Sequence, residues 1–376
     1  MDGRLAVIGL GSIGSMALWQ ASRLSDSVVG FEAQTPAHGR SAVGGDTRLF
    51  RMLYRGTPGL YPILVKSRKL WTELEEETGL DVLSRCGGLF IGGGDGPYIS
   101  DLLETTRANR ANHELLSRDA MAERYPQHNL RPDDCAVYDP HAGVLRTDRA
   151  VTAAVSAAQA NGATVLENTP VDGLRTTARG VEVRSGDRAW TFEQVVVACG
   201  GWSRSLIPEN LRANTETRRL ILSWFLAKDP SEFSPNRFPV FIRISGGRSM
   251  YGAPSIDGAT VKATLEARGA RTRTASAVTR ELTAAEISET TETVSEFFPG
   301  LYPNIVRSDA FPDLYTVDRR GLLGRLREES RIYLATGFSG SGFKMAPGYG
   351  AIAASESLGE PPLDNLDFLR PRRFGS

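Results

Sequence analysis

Two glycine-rich segments, one near each end of the chain, constrain this sequence more than any other feature. They are Val7-Ile8-Gly9-Leu10-Gly11-Ser12-Ile13-Gly14 and Gly337-Phe338-Ser339-Gly340-Ser341-Gly342-Phe343-Lys344. Together they point to one large cofactor held by both ends of the chain. The first has the mechanics of a dinucleotide site. Apolar Leu5 to Ile8 read as a buried strand. The glycines permit a tight turn and close backbone approach to a pyrophosphate, and the helix that follows points its N-terminus at that charge.

The helix continues from Ile13 to Ser22 with apolar or small residues at most positions, and Val28 to Phe31 reads as a second strand ending at Glu32. That glutamate falls about 20 residues past the glycines, where an acidic side chain accepts hydrogen bonds from ribose hydroxyls. Strand, turn, helix, strand and acid in this order predict a bound dinucleotide rather than a ligand-free structural turn. An adenosine ribose occurs in both NAD and FAD, and this segment does not choose between them.

At 376 residues the chain exceeds one ordinary domain, so two structural units are expected. Lys+Arg and Asp+Glu both number 44, which gives no electrostatic drive toward nucleic acid or an anionic membrane. Small molecules are the expected partners. No apolar run approaches the roughly 20 residues of a membrane span, and the chain enters its first strand almost at once. A cytoplasmic protein without a signal peptide is therefore expected. Cys86, Cys135 and Cys199 show no metal spacing, and His38, His113, His128 and His141 form no ligand pair at helical spacing, so no metal is expected. Only five of the 44 basic residues are lysines, the other 39 being arginines. Lys66, Lys69 and Lys228 read as surface residues. Lys262 and Lys344 stand in apolar or glycine-rich segments, where a compact charge that shifts its pKa on burial has a use.

Along the chain, Thr57-Pro58 opens a helix toward Gly79, and the segment from Leu80 to Arg146 leaves the first unit with a strand at Gly88 to Ile91 and a helix near Ser100 to Leu116. The α/β pattern returns with a helix at Arg149 to Ala160, a strand at Thr164 to Leu166, a hairpin through Gly180 to Phe192 and a separate strand Val195 to Ala198, which runs straight into Gly200-Gly201-Trp202. Strands at Leu220 to Ala227, Val240 to Ile244, Met250 to Ala253 and Thr260 to Leu265 follow, then a helix at Ala284 to Phe298. A strand at Ile332 to Thr336 and a helix at Gly348 to Leu358 close the pattern. The expected fold class is α/β with a β-rich part: a discontinuous Rossmann-like cofactor domain (1–80, 147–215 and 325–376) with an inserted mixed-sheet substrate domain (81–146 and 216–324).

This layout, carried by Gly9 to Gly14, Glu32, Gly45-Asp46-Thr47-Arg48, Ala198-Cys199-Gly200-Gly201-Trp202-Ser203 and Gly337 to Lys344, resembles the FAD-dependent D-amino-acid-oxidase-like superfamily. Within it, the chain is most similar to the branch of monomeric sarcosine oxidase and N-methyltryptophan oxidase. The resemblance implies FAD between the two domains, held by Gly9, Gly11, Ser12, Ile13, Gly14, Glu32, Asp46, Thr47, Arg48, Val171, Gly200, Trp202, Gly337, Gly340, Gly342, Phe343 and Lys344. It also implies oxidation of a secondary or cyclic amino acid to an imine that water hydrolyses, with O2 reduced to hydrogen peroxide, in a monomer.

Arg51 and Lys344 match the two cations that hold the substrate carboxylate in this branch, an arrangement that fixes the reacting carbon and cuts orientational cost. Arg48 matches an arginine packed by the flavin ring, Lys262 the lysine that activates oxygen, and Tyr251 and Tyr315 aromatic groups lining the substrate cavity. Three departures stand out. Asp313 occupies the position of the cysteine that tethers the flavin, so non-covalent FAD is expected. Glu266 replaces a histidine four residues beyond Lys262, which puts sarcosine itself in doubt as substrate. The segment after Tyr315 is shorter, reaching Asp318-Arg319-Arg320 early. Two other enzyme readings, a dehydrogenase passing electrons to another carrier and a biosynthetic oxidase aromatising a cyclic imino acid, remain open, as does a catalytically silent flavin-binding protein.

Overall fold

The continuous apolar run Val195-Val196-Val197 is fully buried, as a strand covered on both faces by other elements must be. It forms the end of strand Arg188–Val197, at the centre of an eight-stranded sheet. In the computed structural model, which describes residues 1–266 and 271–375, this strand lies parallel to Gly3–Ile8 on one side and to Ile332–Thr336 on the other. Gly3–Ile8 in turn pairs in parallel with Val28–Phe31, and that strand with Thr164–Leu166. The first strand is therefore central, and chain order reverses beside it. Open parallel sheets bind their ligands at such a point, beyond the carboxyl ends of the strands. Helices Ser12–Ser22, Tyr61–Thr78, Thr147–Ala160 and Ala346–Ser357 share one apolar core with the sheet, through Met16, Trp71, Val151 and Ile352 among others. Gly79 ends the second of these helices in the left-handed conformation.

A nine-stranded mixed sheet forms the second layer. It runs from Arg271–Thr272 through Thr215–Ala227, Thr260–Leu265, Arg248–Ala253, Val240–Ser245, Gly88–Gly93 and Asp134–Asp139 to Glu114–Leu116, and Leu301–Thr316 also pairs with Thr215–Ala227. Phe225, Phe238, Phe241, Phe297 and Phe298 fill its core, and helix Ala284–Phe297 packs into it. A third, small sheet of Thr47–Phe50, Gly143–Arg146 and Leu83–Ser84 carries the Gly45–Arg48 segment.

Two expectations need correction. The helix expected over Ser100 to Leu116 spans Pro97–Ala108, because the chain reverses at Arg110, whose φ is +51°, and Glu114–Leu116 joins the mixed sheet instead. The separate hairpin arm and apolar strand expected across Gly180 to Ala198 are a single strand, Arg188–Val197, whose start pairs with Val181–Ser185 and whose end enters the parallel sheet. Leu301–Thr316, 16 residues long, is a further strand that the pattern of the sequence does not delimit.

Candidate active site

The chain leaves the central strand at Gly9, and helix Ser12–Ser22 begins with Gly11 as its N-cap, with no side chain capping the first turn. Its first amides are thus free for an anion. Gly14 seats that helix against the turn: a Cβ there would lie 1.8 Å from the Gly9 carbonyl oxygen. Glu32 is aimed by two backbone amides, Leu10 N–H donating to Oε2 at 2.9 Å and Gln34 N–H to Oε1 at 3.1 Å. The ring of His38 lies 3.6 Å from the same carboxylate, and burial holds that imidazole below its ordinary pKa against the opposing pull of Glu32.

Over these groups opens a cavity of about 660 Å³. Gly9, Gly11, Ser12, Ile13, Glu32, Arg48, Val171, Gly200, Trp202, Gly337, Gly340, Gly342 and Phe343 all line it, so the two glycine-rich segments meet across one space. An uncapped helix start, a turn that admits no side chain and a fixed acid one strand away fit the pyrophosphate and ribose of a dinucleotide. Four of the expected cofactor residues stand elsewhere. Gly14 backs the turn, Asp46 pairs its carboxylate with Arg307, Thr47 is buried on the strand beyond, and Lys344 turns its ammonium back to the Ser341 carbonyl.

Lys262 is 2% exposed, and its ammonium donates to the carbonyls of Gly45 at 2.6 Å and Thr47 at 2.7 Å. Burial, then the charge of Arg48, pull its pKa well below the ordinary lysine value. Arg48 shares the Thr47 carbonyl at 2.7 Å and also donates to Ala42 and Gly44. Tyr251 lies near it, its hydroxyl raised to about 12 by burial, with Arg48 opposing and the charges of Glu266 and Asp313 adding to the rise. Burial likewise raises the Tyr315 hydroxyl, and the Arg218 guanidinium sits 4.8 Å from its ring centroid. Asp313 lines the cavity, and burial lifts its carboxyl to about 6. Lys262, Arg48, Tyr251, Asp313 and Tyr315 thus form one cluster.

Arg51 and Lys344 form another. The Arg51 guanidinium lies 4.6 Å and the Lys344 ammonium 5.0 Å from the centroid of the Tyr54 ring. Among the described residues each donates only to a nearby carbonyl, Arg51 to Leu53 at 2.8 Å and Lys344 to Ser341 at 2.9 Å. Among the described residues no carboxylate lies within ion-pair distance of either. Burial, then Arg51, lower the Lys344 pKa well below its ordinary value. Trp71 donates its indole N–H to the Lys344 carbonyl at 3.1 Å and stacks on Phe343, anchoring the segment. Tyr54 escaped the sequence reading, although it lies three residues past Arg51; Trp224, 5.2 Å from the Lys262 ammonium, carried no local signal. Glu266 accepts the Ser249 hydroxyl at 2.7 Å, and its charge also acts on Tyr98, which lies near Arg51 and Arg55. No group of three or more metal-ligating side chains occurs among the described residues.

Fold and cradle define a dinucleotide-binding protein. Residues 4–356 match the model of the FAD-dependent oxidoreductase family, and the chain belongs to that family, with FAD as its cofactor. It is 28% identical over 374 residues to monomeric sarcosine oxidase of Streptomyces avermitilis, covering 98% of this chain and 97% of that protein. It is 27% identical to N-methyl-L-tryptophan oxidase of Salmonella heidelberg, covering 98% of each. Among solved structures, NikD, an unusual amino acid oxidase essential for nikkomycin biosynthesis, superposes with a TM-score of 0.87 at 20% identity, covering 98% of this chain and 97% of that one. L-proline dehydrogenase from P. horikoshii superposes with a TM-score of 0.85 at 21% identity, covering 99% and 98%. Among the described residues no helix is long and apolar enough to cross a membrane.

Proposed function

We propose that this protein oxidises a secondary or cyclic amino acid at a carbon bonded to nitrogen, giving an imine that water hydrolyses, while O2 is reduced to hydrogen peroxide. The observation that carries this reading is the pair of cations, Arg51 and Lys344, gathered on the Tyr54 ring with no carboxylate among the described residues to neutralise them. A buried ammonium and a half-buried guanidinium gathered on one aromatic ring call for an anionic ligand, and a substrate carboxylate supplies it. Holding that carboxylate fixes the neighbouring carbon relative to the cofactor and removes most of the orientational cost of reaction. The sarcosine and N-methyl-L-tryptophan oxidases named among the relatives support an N-methyl or related amino acid.

Bound FAD supplies the two-electron acceptor, held without a covalent link because Asp313 has no nucleophilic sulfur. Lys262, which shares the Thr47 carbonyl with Arg48, would supply a cation to the negative charge that develops as oxygen accepts an electron. The enzyme works as a cytoplasmic monomer, residues 1–80, 147–215 and 325–376 forming the cofactor unit and 81–146 and 216–324 the substrate unit. Anaerobic mixing of the yellow protein with a panel of N-methyl and cyclic amino acids tests the substrate class: bleaching by at least one of them is expected, and failure of the whole panel would refute it. Oxygen consumption during turnover separates an oxidase from a dehydrogenase.

A further inference from the structure

Lys262, Trp224 and Arg307 stand directly opposite one another on three adjacent strands: Trp224 pairs with Lys262 on one side and with Arg307 on the other. The Trp224 ring lies 5.2 Å from the Lys262 ammonium and 3.9 Å from the Arg307 guanidinium. A register shift follows this row at once, so that Phe225 faces Ile305. Such a bulge bends a strand and re-aims the side chains beside it.

Arg307 reaches from this row to Asp46, and the two form an ion pair. Asp46 lies between the two residues whose carbonyls hold Lys262. It is the middle of a three-residue turn closed by Thr47 N–H on the Gly45 carbonyl at 2.6 Å. Its φ is +62° and that of Gly45 +87°. A glycine adopts this region freely, whereas an aspartate there is strained and is kept by its surroundings. The contacts close a ring: Lys262 to the Gly45 and Thr47 carbonyls, through Asp46 to Arg307, and back across Trp224 to Lys262.

We infer that Asp46 and Arg307 are a positioning pair for Lys262, clamping from outside the strained turn on whose carbonyls the buried ammonium rests. The pair is half-exposed, so it contributes little to stability in its own right. Its effect is on where Lys262 sits and what charge surrounds it. The charged groups facing Lys262 are Arg48, Asp46 and Arg307, from the small sheet, the turn and the edge strand respectively. With the ring intact, Asp46 holds the Lys262 proton on and Arg307 opposes it. This inference rests on the proposed function only in giving Lys262 a task in the oxygen half-reaction.

The test reads Lys262 directly. Because the chain has five lysines, the FAD-loaded protein carrying isotope-labelled lysine gives an NMR spectrum in which the Lys262 signal is the one missing from Lys262→Met. Asp46→Asn, which tolerates the left-handed turn, should lower the Lys262 titration midpoint, and Arg307→Gln should raise it, each by about half a unit or more. Arg307→Lys should return it toward the parent value. Shifts in the same direction for both variants, as expected if the turn merely opened to water, would overturn the inference, and so would the absence of any shift. Normal reoxidation in Lys262→Met with opposite shifts intact would instead remove the oxygen role and leave the clamp standing.

Discussion

The Asp313 carboxylate accepts the backbone N–H of Gly340 at 2.8 Å, tying the edge strand of the mixed sheet to the second glycine-rich segment. The bond joins the residue from which non-covalent FAD is expected to the backbone that lines the cofactor cavity. It gives Asp313 a structural part that a sulfur bonded to flavin would not fill.

FAD should accordingly leave the protein on acid precipitation, with the yellow colour in the supernatant. Cys199 is the one cysteine lining the cavity, but burial raises its thiol to about 12 and its sulfur donates to the Ile8 carbonyl at 3.2 Å. A thiol so rarely ionised is a poor nucleophile. A coloured pellet yielding a flavin peptide by mass spectrometry would refute the expectation.

Asp313 also sets a pH dependence. Its folded carboxyl titrates at about 6, above the ordinary value of 3.8, so between the two the folded state binds more protons than the unfolded chain. Stability therefore falls as pH rises through this window: the contribution of the protonated carboxyl is whole below the unfolded value and lost above the folded one. In flavin-free protein, the thermal midpoint of Asp313→Asn relative to the parent should climb from about pH 4 to about pH 7. A constant difference across that range would show that this carboxyl does not carry the dependence.

Removing one partner of a desolvated, charge-assisted pair costs about 2 to 5 kcal/mol. Arg51→Ala should then weaken binding of a carboxylate inhibitor at least about tenfold. An unchanged dissociation constant would detach the Arg51 and Lys344 pair from substrate binding.

Lys262→Met should separate the half-reactions. Anaerobic reduction by substrate stays rapid, while reoxidation slows by roughly a hundredfold, the effect of losing a cation beside developing negative charge. Stopped-flow measurement of both steps checks this, and equal slowing of the two would assign Lys262 a general structural role.

Gly14→Ala should lose FAD affinity together with stability, since the added methyl would meet the Gly9 carbonyl backbone, which has no room to yield. Flavin fluorescence released on mild heating gives the comparison, and an unaltered release temperature would mean that the helix start tolerates displacement.

What was legible in the sequence was local. The Gly9 to Gly14 turn, Glu32 and the strands beside them follow from short-range geometry, and the structure joins them to the second glycine segment in one cavity. Relationships that depend on register between distant strands left no trace: the row of Lys262, Trp224 and Arg307 exists only once three strands are aligned. The edge strand Leu301–Thr316 was hidden because Pro303 and Pro312 and its polar run argue against a strand, although an edge tolerates proline where a central strand does not. The helix near Ser100 was overextended because Leu115 and Leu116 prolong its apolar pattern, yet Leu115 is 56% exposed on a short strand.

The parallel sheet has a further consequence, in time rather than in space. Strand Arg188–Val197 is flanked by Gly3–Ile8 and by Ile332–Thr336, and the cavity draws its walls from both neighbourhoods. During synthesis the first glycine turn leaves the ribosome more than three hundred residues before the second. The phosphate cradle is thus made early, but the wall that faces it arrives only with residues 335–343, so the cavity cannot close around FAD until the second glycine segment has been made.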